Sequence, residues 1–282
     1  MTETDLAELT YTDAGSGPAV VLLHGYPFDR SMWREQIGFL STHGFRVVAP
    51  DLRGFGVTVT QTSVCNSSAP SHRLKFVPLS EARRTITTMS DMARDVAALM
   101  DELKIAQAVI CGLSMGGYVA FDFVHLFPSR VGALILAGTR APADNEQEKQ
   151  ARAQQVEQML ANGMDEIAEA TLPKLLAPRT LAAKPEVFAH VREMILRADP
   201  QGAAAAQRGM AARRDYSDDL PSINTPALIV VGRQDPIRPV ADAEFMHRGF
   251  SNSRLEIIED AAHMTNMEQP EVFNRALERF LV

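Results

Sequence analysis

The 282-residue chain predicts an α/β protein: a mostly parallel central sheet with helices on both faces and an inserted helical cap. Three observations carry this. Several short β-branched runs are apolar without a break, as strands buried on both faces of a helix-covered parallel sheet must be. These runs alternate with stretches whose apolar residues recur at helical spacing. One interval between strands, residues 139–216, holds no strand-like run and is far too long for a structureless loop.

In chain order, Leu6–Thr12 alternates polar and apolar and reads as an antiparallel edge strand, followed by buried strands at Ala19–Leu23 and Phe45–Ala49. Residues 57–88 are rich in Ser, Thr and Pro, lack periodicity and carry Arg73, Lys75, Arg83 and Arg84; they read as a long surface excursion. A helix is predicted over Met92–Leu103 with Ser90 as its N-cap, then a strand at Ala108–Cys111, a helix at Tyr118–Phe127 and a strand at Val131–Ala137. Helical stretches around 146–162, 164–171, 185–197 and 201–213 follow, punctuated by Pro173, Pro178, Pro185 and Pro200. Strands at Ala227–Val231 and Leu255–Ile258 and a helix at Val272–Leu281 complete the chain. The expected division is a core of residues 1–138 and 217–282 and a cap of residues 139–216.

Composition narrows the function. With 46% hydrophobic and 22% charged residues, disorder, collagen and coiled coil are excluded as the main architecture. The balance of 28 basic and 35 acidic residues, net −7, offers no global basic face to nucleic acid or anionic lipid. Apolar runs such as Ala19–Leu23 and Ala227–Val231 fall far short of a membrane span, and Met1–Leu6 carries acids and no apolar core, so no secretory leader is expected. The sequon Asn66-Ser67-Ser68 is therefore read as a chance match. Two cysteines, Cys65 and Cys111, make no disulfide framework and point to a reducing compartment. The expectation is a cytoplasmic protein with a small-molecule substrate, no nucleic-acid or membrane partner, and an oligomeric state the sequence leaves open.

The chemistry gathers at the carboxyl ends of the strands, where open α/β sheets bind ligands. Gly112-Leu113-Ser114-Met115-Gly116 lies between a strand and a helix. A G-x-S-x-G string arises by chance on the order of 0.1 times in a chain this long, so the strand-turn-helix context carries the weight. The turn that exposes such a serine is crowded, and Gly112, Gly116 and Gly117 leave it room. A serine needs a base to take its proton. Of seven histidines, His43, His125, His190 and His247 lie on or beside helical stretches, His72 falls in the excursion, and His24 reads as structural. His263, a short loop beyond Leu255–Ile258, remains. An imidazole base needs an acceptor to fix its tautomer. Asp235, just past Ala227–Val231, fits; Asp260 is too close in sequence to face the ring, Asp144 lies further past its strand, and Asp51 precedes the serine. The order Ser114, Asp235, His263 is the one this architecture uses. Two backbone N–H groups are expected to hold the oxyanion: that of Met115 and, because Pro27 has none, that of Tyr26. Spacing alone leaves an ordinary turn open at His24-Gly25-Tyr26-Pro27.

These segments resemble the α/β-hydrolase superfamily, near serine carboxylesterases with a Gly112-Leu-Ser-Met-Gly-Gly117 elbow and the related enol-lactonases and cofactor-free haloperoxidases or perhydrolases. His24–Pro27 is similar to the family's oxyanion segment, Asp51–Gly56 to the loop after the next strand, Gly232–Asp235 to its acid turn, and Ala262–Met264 with Glu268-Gln-Pro270 to its histidine segment. The resemblance covers residues 17–56 and 89–282. It departs at Ala262, where a glycine commonly stands, and at residues 57–88, which enlarge a loop that usually borders the entrance. It implies the α/β-hydrolase fold and a serine carboxylesterase with Ser114, His263 and Asp235 as its triad, working without metal or cofactor. Lactonase and perhydrolase activities are the alternatives, and a non-catalytic receptor of this fold a further one. Serine at the elbow sets the chain apart from dehalogenases and epoxide hydrolases, which use an aspartate there.

Overall fold

The computed structural model describes residues 9–56 and 85–282. Leu6–Glu8 of the expected edge strand and residues 57–84 of the excursion, with Cys65, the sequon and His72, lie outside the described residues.

Seven strands make one sheet: β1 (Tyr11–Gly15), β2 (Ala19–Leu23), β3 (Arg46–Pro50), β4 (Ala108–Leu113), β5 (Val131–Ala137), β6 (Ala227–Gly232) and β7 (Ser253–Ile258), in the order β1-β3-β2-β4-β5-β6-β7. Among the described residues only β1 runs antiparallel; Leu9 and Thr10 of the expected strand lie outside it, and its pairing with Arg46–Pro50 begins at Tyr11. β4 runs past Cys111 to Leu113, since Gly112 and Leu113 keep pairing with Leu136 and Ala137. The apolar runs are continuous for the reason their pattern implies: side chains alternate between two cores. Val21, Val48, Ile110, Leu136 and Ile229 belong to one, while Val20, Val47, Cys111, Ile135 and Val230 belong to the other.

Helices cover both faces. On one side lies α1 (Arg34–Thr42); on the other, α2 (Met89–Glu102) and α3 (Met115–Leu126). The α2 start corrects the expected cap: Thr88, not Ser90, is the N-cap. Its Oγ1 accepts from Asp91 N–H at 3.0 Å while Asp91 Oδ2 accepts from Thr88 N–H at 2.9 Å. Ser90 instead lies inside the helix and donates to Asp122. Thr87 is buried and its N–H meets Ala205 O, so the excursion ends before residue 87. α3 is buried on every side from Met115 to Val124, which is why it shows no polar stripe.

Between β5 and β6 lie five helices: α4 (Glu146–Asn162), α5 (Asp165–Leu175), α6 (Pro178–Ala183), α7 (Pro185–Arg197) and α8 (Pro200–Ala211). Pro178, Pro185 and Pro200 each open a helix, where a missing N–H costs nothing, whereas Pro173 sits inside α5. Val156, Met159, Leu172, Val191 and Met194 join the same core as α1 and the sheet face beneath it. The chain closes with α9 (Val240–Gly249), α10 (Thr265–Glu268) and α11 (Pro270–Leu281). From α11, Phe273, Ala276 and Leu277 go into the core, while Arg279 pairs with Glu256 of β7 and its carbonyl accepts from Arg254.

A buried carboxylate joins the two ends of the inserted segment. Asp144 accepts from Arg140, Arg152 and Arg213, which come from its own segment, from α4 and from just beyond α8. Burial alone would raise its pKa, but the bonds and charges of Arg152 and Arg213 outweigh that and hold it at about 2. A carboxyl depressed in the folded state stabilises above its unfolded pKa, and the contribution disappears as pH falls through the folded value. Asp144→Asn is therefore expected to lower stability by about 3 kcal/mol at pH 7 by leaving buried guanidinium groups unpaired. The gap should close between pH 4 and pH 2, as read by urea unfolding of both proteins.

Candidate active site

Ser114 occupies the turn between β4 and α3 with φ +55° and ψ −112°, a left-handed conformation a residue with a Cβ rarely adopts. The surroundings hold it there. Ser114 N–H donates to Ala137 O at 2.9 Å, and Ser114 O accepts from Thr139 Oγ1 at 2.9 Å and from Gly117 N–H at 3.0 Å. The flanking glycines are steric necessities. A Cβ on Gly112 would lie 2.2 Å from Gly116 O, and one on Gly116 would lie 2.2 Å from Leu23 O. Gly116→Ala is expected to cost about 1–3 kcal/mol, because backbone rather than a flexible side chain must yield. Urea unfolding of the purified variant measures it.

His263 lies beyond β7, buried, with Nδ1 2.7 Å from Asp235 Oδ2. Asp235 sits beyond β6, also buried, and its Oδ1 accepts from Ile237 N–H (2.8 Å) and Arg238 N–H (2.9 Å). The carboxylate is thus committed on both oxygens, and one ring nitrogen of His263 is fixed as the proton-bearing one. The ring also backs onto the residue after β5: a Cβ on Gly138 would lie 3.3 Å from His263 Nδ1. Ser114 is bonded to Ala137 and His263 rests on Gly138, so one stretch of backbone holds both. The Ser114 hydroxyl makes no hydrogen bond to another described residue.

The Gly25–Phe28 turn, closed by Phe28 N–H on Gly25 O at 3.0 Å, follows β2, the parallel neighbour of β4. A Cβ on Gly25 would lie 3.1 Å from Leu113, so the turn that carries Tyr26 starts against the last residue of β4. Met115 opens α3, where backbone N–H groups lack helical partners and the helix dipole is positive. The Tyr26 hydroxyl donates to Met159 of α4 at 3.7 Å; burial pushes its pKa up, against the pull of Gln207 and Arg152.

The rival residues are engaged elsewhere. Both ring nitrogens of His24 are used by backbone: Leu52 N–H donates to Nε2 at 2.9 Å and Nδ1 donates to Gly25 O at 2.9 Å. Burial lowers its pKa, in keeping with a neutral ring. Asp51 holds Arg30 and Thr10, Asp144 holds its three arginines, and Asp260 pairs with Arg179. Met159, Met164, Met194 and Met210 are all buried packing residues. Among the described residues no group of three or more His, Cys, Asp or Glu is arranged to hold a metal ion, and no helix is long and apolar enough to cross a membrane.

One buried residue escaped the sequence reading except as part of a resemblance. Glu268 is fully buried, and its carboxylate accepts from Ala262 N–H, the residue before His263. A carboxylate five residues after a histidine is the only signal for it in the sequence.

A model of the Alpha/beta hydrolase family matches residues 20–276. The chain is 31% identical to 3-oxoadipate enol-lactonase 2 of Acinetobacter baylyi over 99% of its own length and 94% of the relative's. Among solved structures it is similar to a malate-bound thermophilic esterase from Thermogutta terrifontis, with 39% identity and TM-score 0.86 over 97% of this chain and 92% of that one. It is also similar to the enol-lactonase of Burkholderia xenovorans LB400, with 28% identity and TM-score 0.82 over 97% and 96%.

Proposed function

Because the chain belongs to the alpha/beta hydrolase family, we propose that it is a serine hydrolase of carboxylic esters, acting on small to medium substrates through an acyl-enzyme on Ser114. The observation that carries this is the left-handed Ser114 between β4 and α3, set on the same 137–138 backbone as a histidine already bonded to a buried aspartate.

In this reading Ser114 Oγ attacks the acyl carbon as His263 Nε2 takes its proton. Asp235 keeps Nδ1 protonated and stabilises the imidazolium. The tetrahedral oxyanion accepts from the N–H groups of Tyr26 and Met115. His263 then returns the proton to the leaving alkoxide as the C–O bond breaks, and water, deprotonated by the same ring, releases the acid. The roles need no metal and no cofactor. In this reading residues 139–216 act as the cap over a core of residues 1–138 and 217–282, supported by the contact of Met159 with Tyr26. The substrate is the only partner this reading requires. The buried thiol of Cys111 in the middle of the sheet is in keeping with a cytoplasmic protein.

A lactone is the second substrate class, favoured by the 31% identity to an enol-lactonase across the whole chain. A series of 4-nitrophenyl esters of increasing acyl length, assayed beside several lactones, tests both. Turnover of the short esters is expected. Ring opening with no release of nitrophenol would instead make the protein a lactonase, preference for peroxide over water at the acyl-enzyme would make it a perhydrolase, and a single burst without turnover would make it a receptor.

A further inference from the structure

Five hydrogen bonds join the loop carrying His263 to the segment 175–184 of the inserted helices. Leu175 O accepts from His263 N–H at 3.1 Å and from Met264 N–H at 3.2 Å. The other three run through Glu268, which is fully buried. Its Oε2 accepts from Ala177 N–H at 2.6 Å and from Thr180 Oγ1 at 2.7 Å, while its carbonyl accepts from Lys184 Nζ at 2.5 Å. The remaining oxygen, Oε1, accepts from Ala262 N–H at 2.7 Å. One carboxylate thus grips the residue before the histidine with one oxygen and the start of α6 with the other.

Each of these neighbours donates, and a carboxylate that only accepts is an ionised one. Such a buried charge is costly unless it serves its surroundings. Burial pushes the Glu268 carboxyl pKa up, against the Ala177, Thr180 and Ala262 donors and the charged form of His263. The other charged groups at this loop are Asp235 on the ring, Lys184 against the Glu268 carbonyl, and the Arg179–Asp260 pair on the exposed side.

From this geometry we infer that Glu268 is a positioning residue: it holds the His263 loop in register with the helices above it. It rests on His263 being the general base. The consequence is that the inserted helices do more than wall a pocket. A shift of α6 pulls on Ala262 through a single side chain, so what binds beneath those helices is coupled to the placement of the base. Because misplacement of a reacting group by about 1 Å can cost on the order of a hundredfold in rate, the coupling falls on kcat.

The test uses the full chain and 4-nitrophenyl acetate, an ester too small to depend on the fit of the inserted helices. Glu268→Gln keeps the shape but puts an amide donor against backbone N–H groups. It is expected to lower kcat by roughly 10- to 100-fold with KM within about twofold. A change confined to kcat is what a shifted base gives, whereas a loss of fold would lower the amount of active protein without that split. Thr180→Val, which removes one donor and keeps the outline, is expected to lower kcat by roughly three- to tenfold, the worth of one hydrogen bond. A wild-type kcat in Glu268→Gln would overturn the inference, as would a raised KM with kcat intact. If Glu268→Gln does not fold, an unchanged kcat in Thr180→Val overturns it alone. Failure of the underlying reading looks different: the wild-type enzyme would then show no turnover that depends on Ser114.

Discussion

Ser114→Ala is expected to remain folded and to lose esterase activity by roughly 10⁵- to 10⁶-fold, because nucleophile and base act as a unit and the loss of one forfeits the other. The substitution keeps the Cβ, so the Ala137 and Thr139 bonds to the residue-114 backbone persist and the turn is not released. On the proposed mechanism, what remains is the background given by binding and the two oxyanion donors. Activity of purified Ser114→Ala against 4-nitrophenyl acetate, with unfolding measured in parallel, decides it. Wild-type-like turnover would remove the serine-hydrolase reading altogether.

The second large effect is at the acid. Asp235→Asn is expected to reduce kcat by about 10⁴-fold with little change in KM. Asparagine fits the space and its carbonyl still accepts from Ile237 and Arg238, but an amide NH₂ turned to His263 favours the tautomer with its proton on Nε2. That nitrogen could then not take the serine proton. Asp260→Asn, which disturbs only an exposed pair with Arg179, should leave kcat within about twofold. A larger loss at Asp260 than at Asp235 would place the acid elsewhere.

The fold was legible where one physical pattern acted alone. Ala19–Leu23 and Val131–Ala137 read with their observed bounds because nothing polar interrupts them, and residues 146–162 read as a helix at its observed ends. Errors came where two signals competed or the signal was too short. Ser90 and Thr88 are both capping residues two positions apart, and the reciprocal partner of Thr88, Asp91, distinguishes them. The six residues of α6 make less than two turns, too few for periodicity to register. Edge strand β1 takes its bounds from a partner more than thirty residues away.

The site divides the same way. Ser114, Asp235 and His263 each follow a strand by a short turn, so position in the chain alone marked them as candidates. The bond between Asp235 and His263 spans 28 residues and needs β6 and β7 side by side. Glu268 was visible only as part of a resemblance, since its partners Ala177 and Thr180 lie about ninety residues upstream and nothing local says a glutamate there is buried. Thr139 and Gly138 carry no local signal either; their roles exist only once β5 lies against the serine turn.

Among the described residues the sheet ends at β7, which pairs with β6 on one side only and so leaves a row of backbone donors and acceptors on the other. Such a rim is an invitation to another strand, and with it to fibrous or amorphous association. Here α11 lies against that strand, and its Arg279 clasps Glu256 with a side chain and Arg254 with a carbonyl. Arg254 and Glu256 thereby set charge along the outermost strand, against which a second copy would have to bring its own. The same helix that fills the core with Phe273 and Leu277 thereby also holds these charges in place at the rim of the sheet.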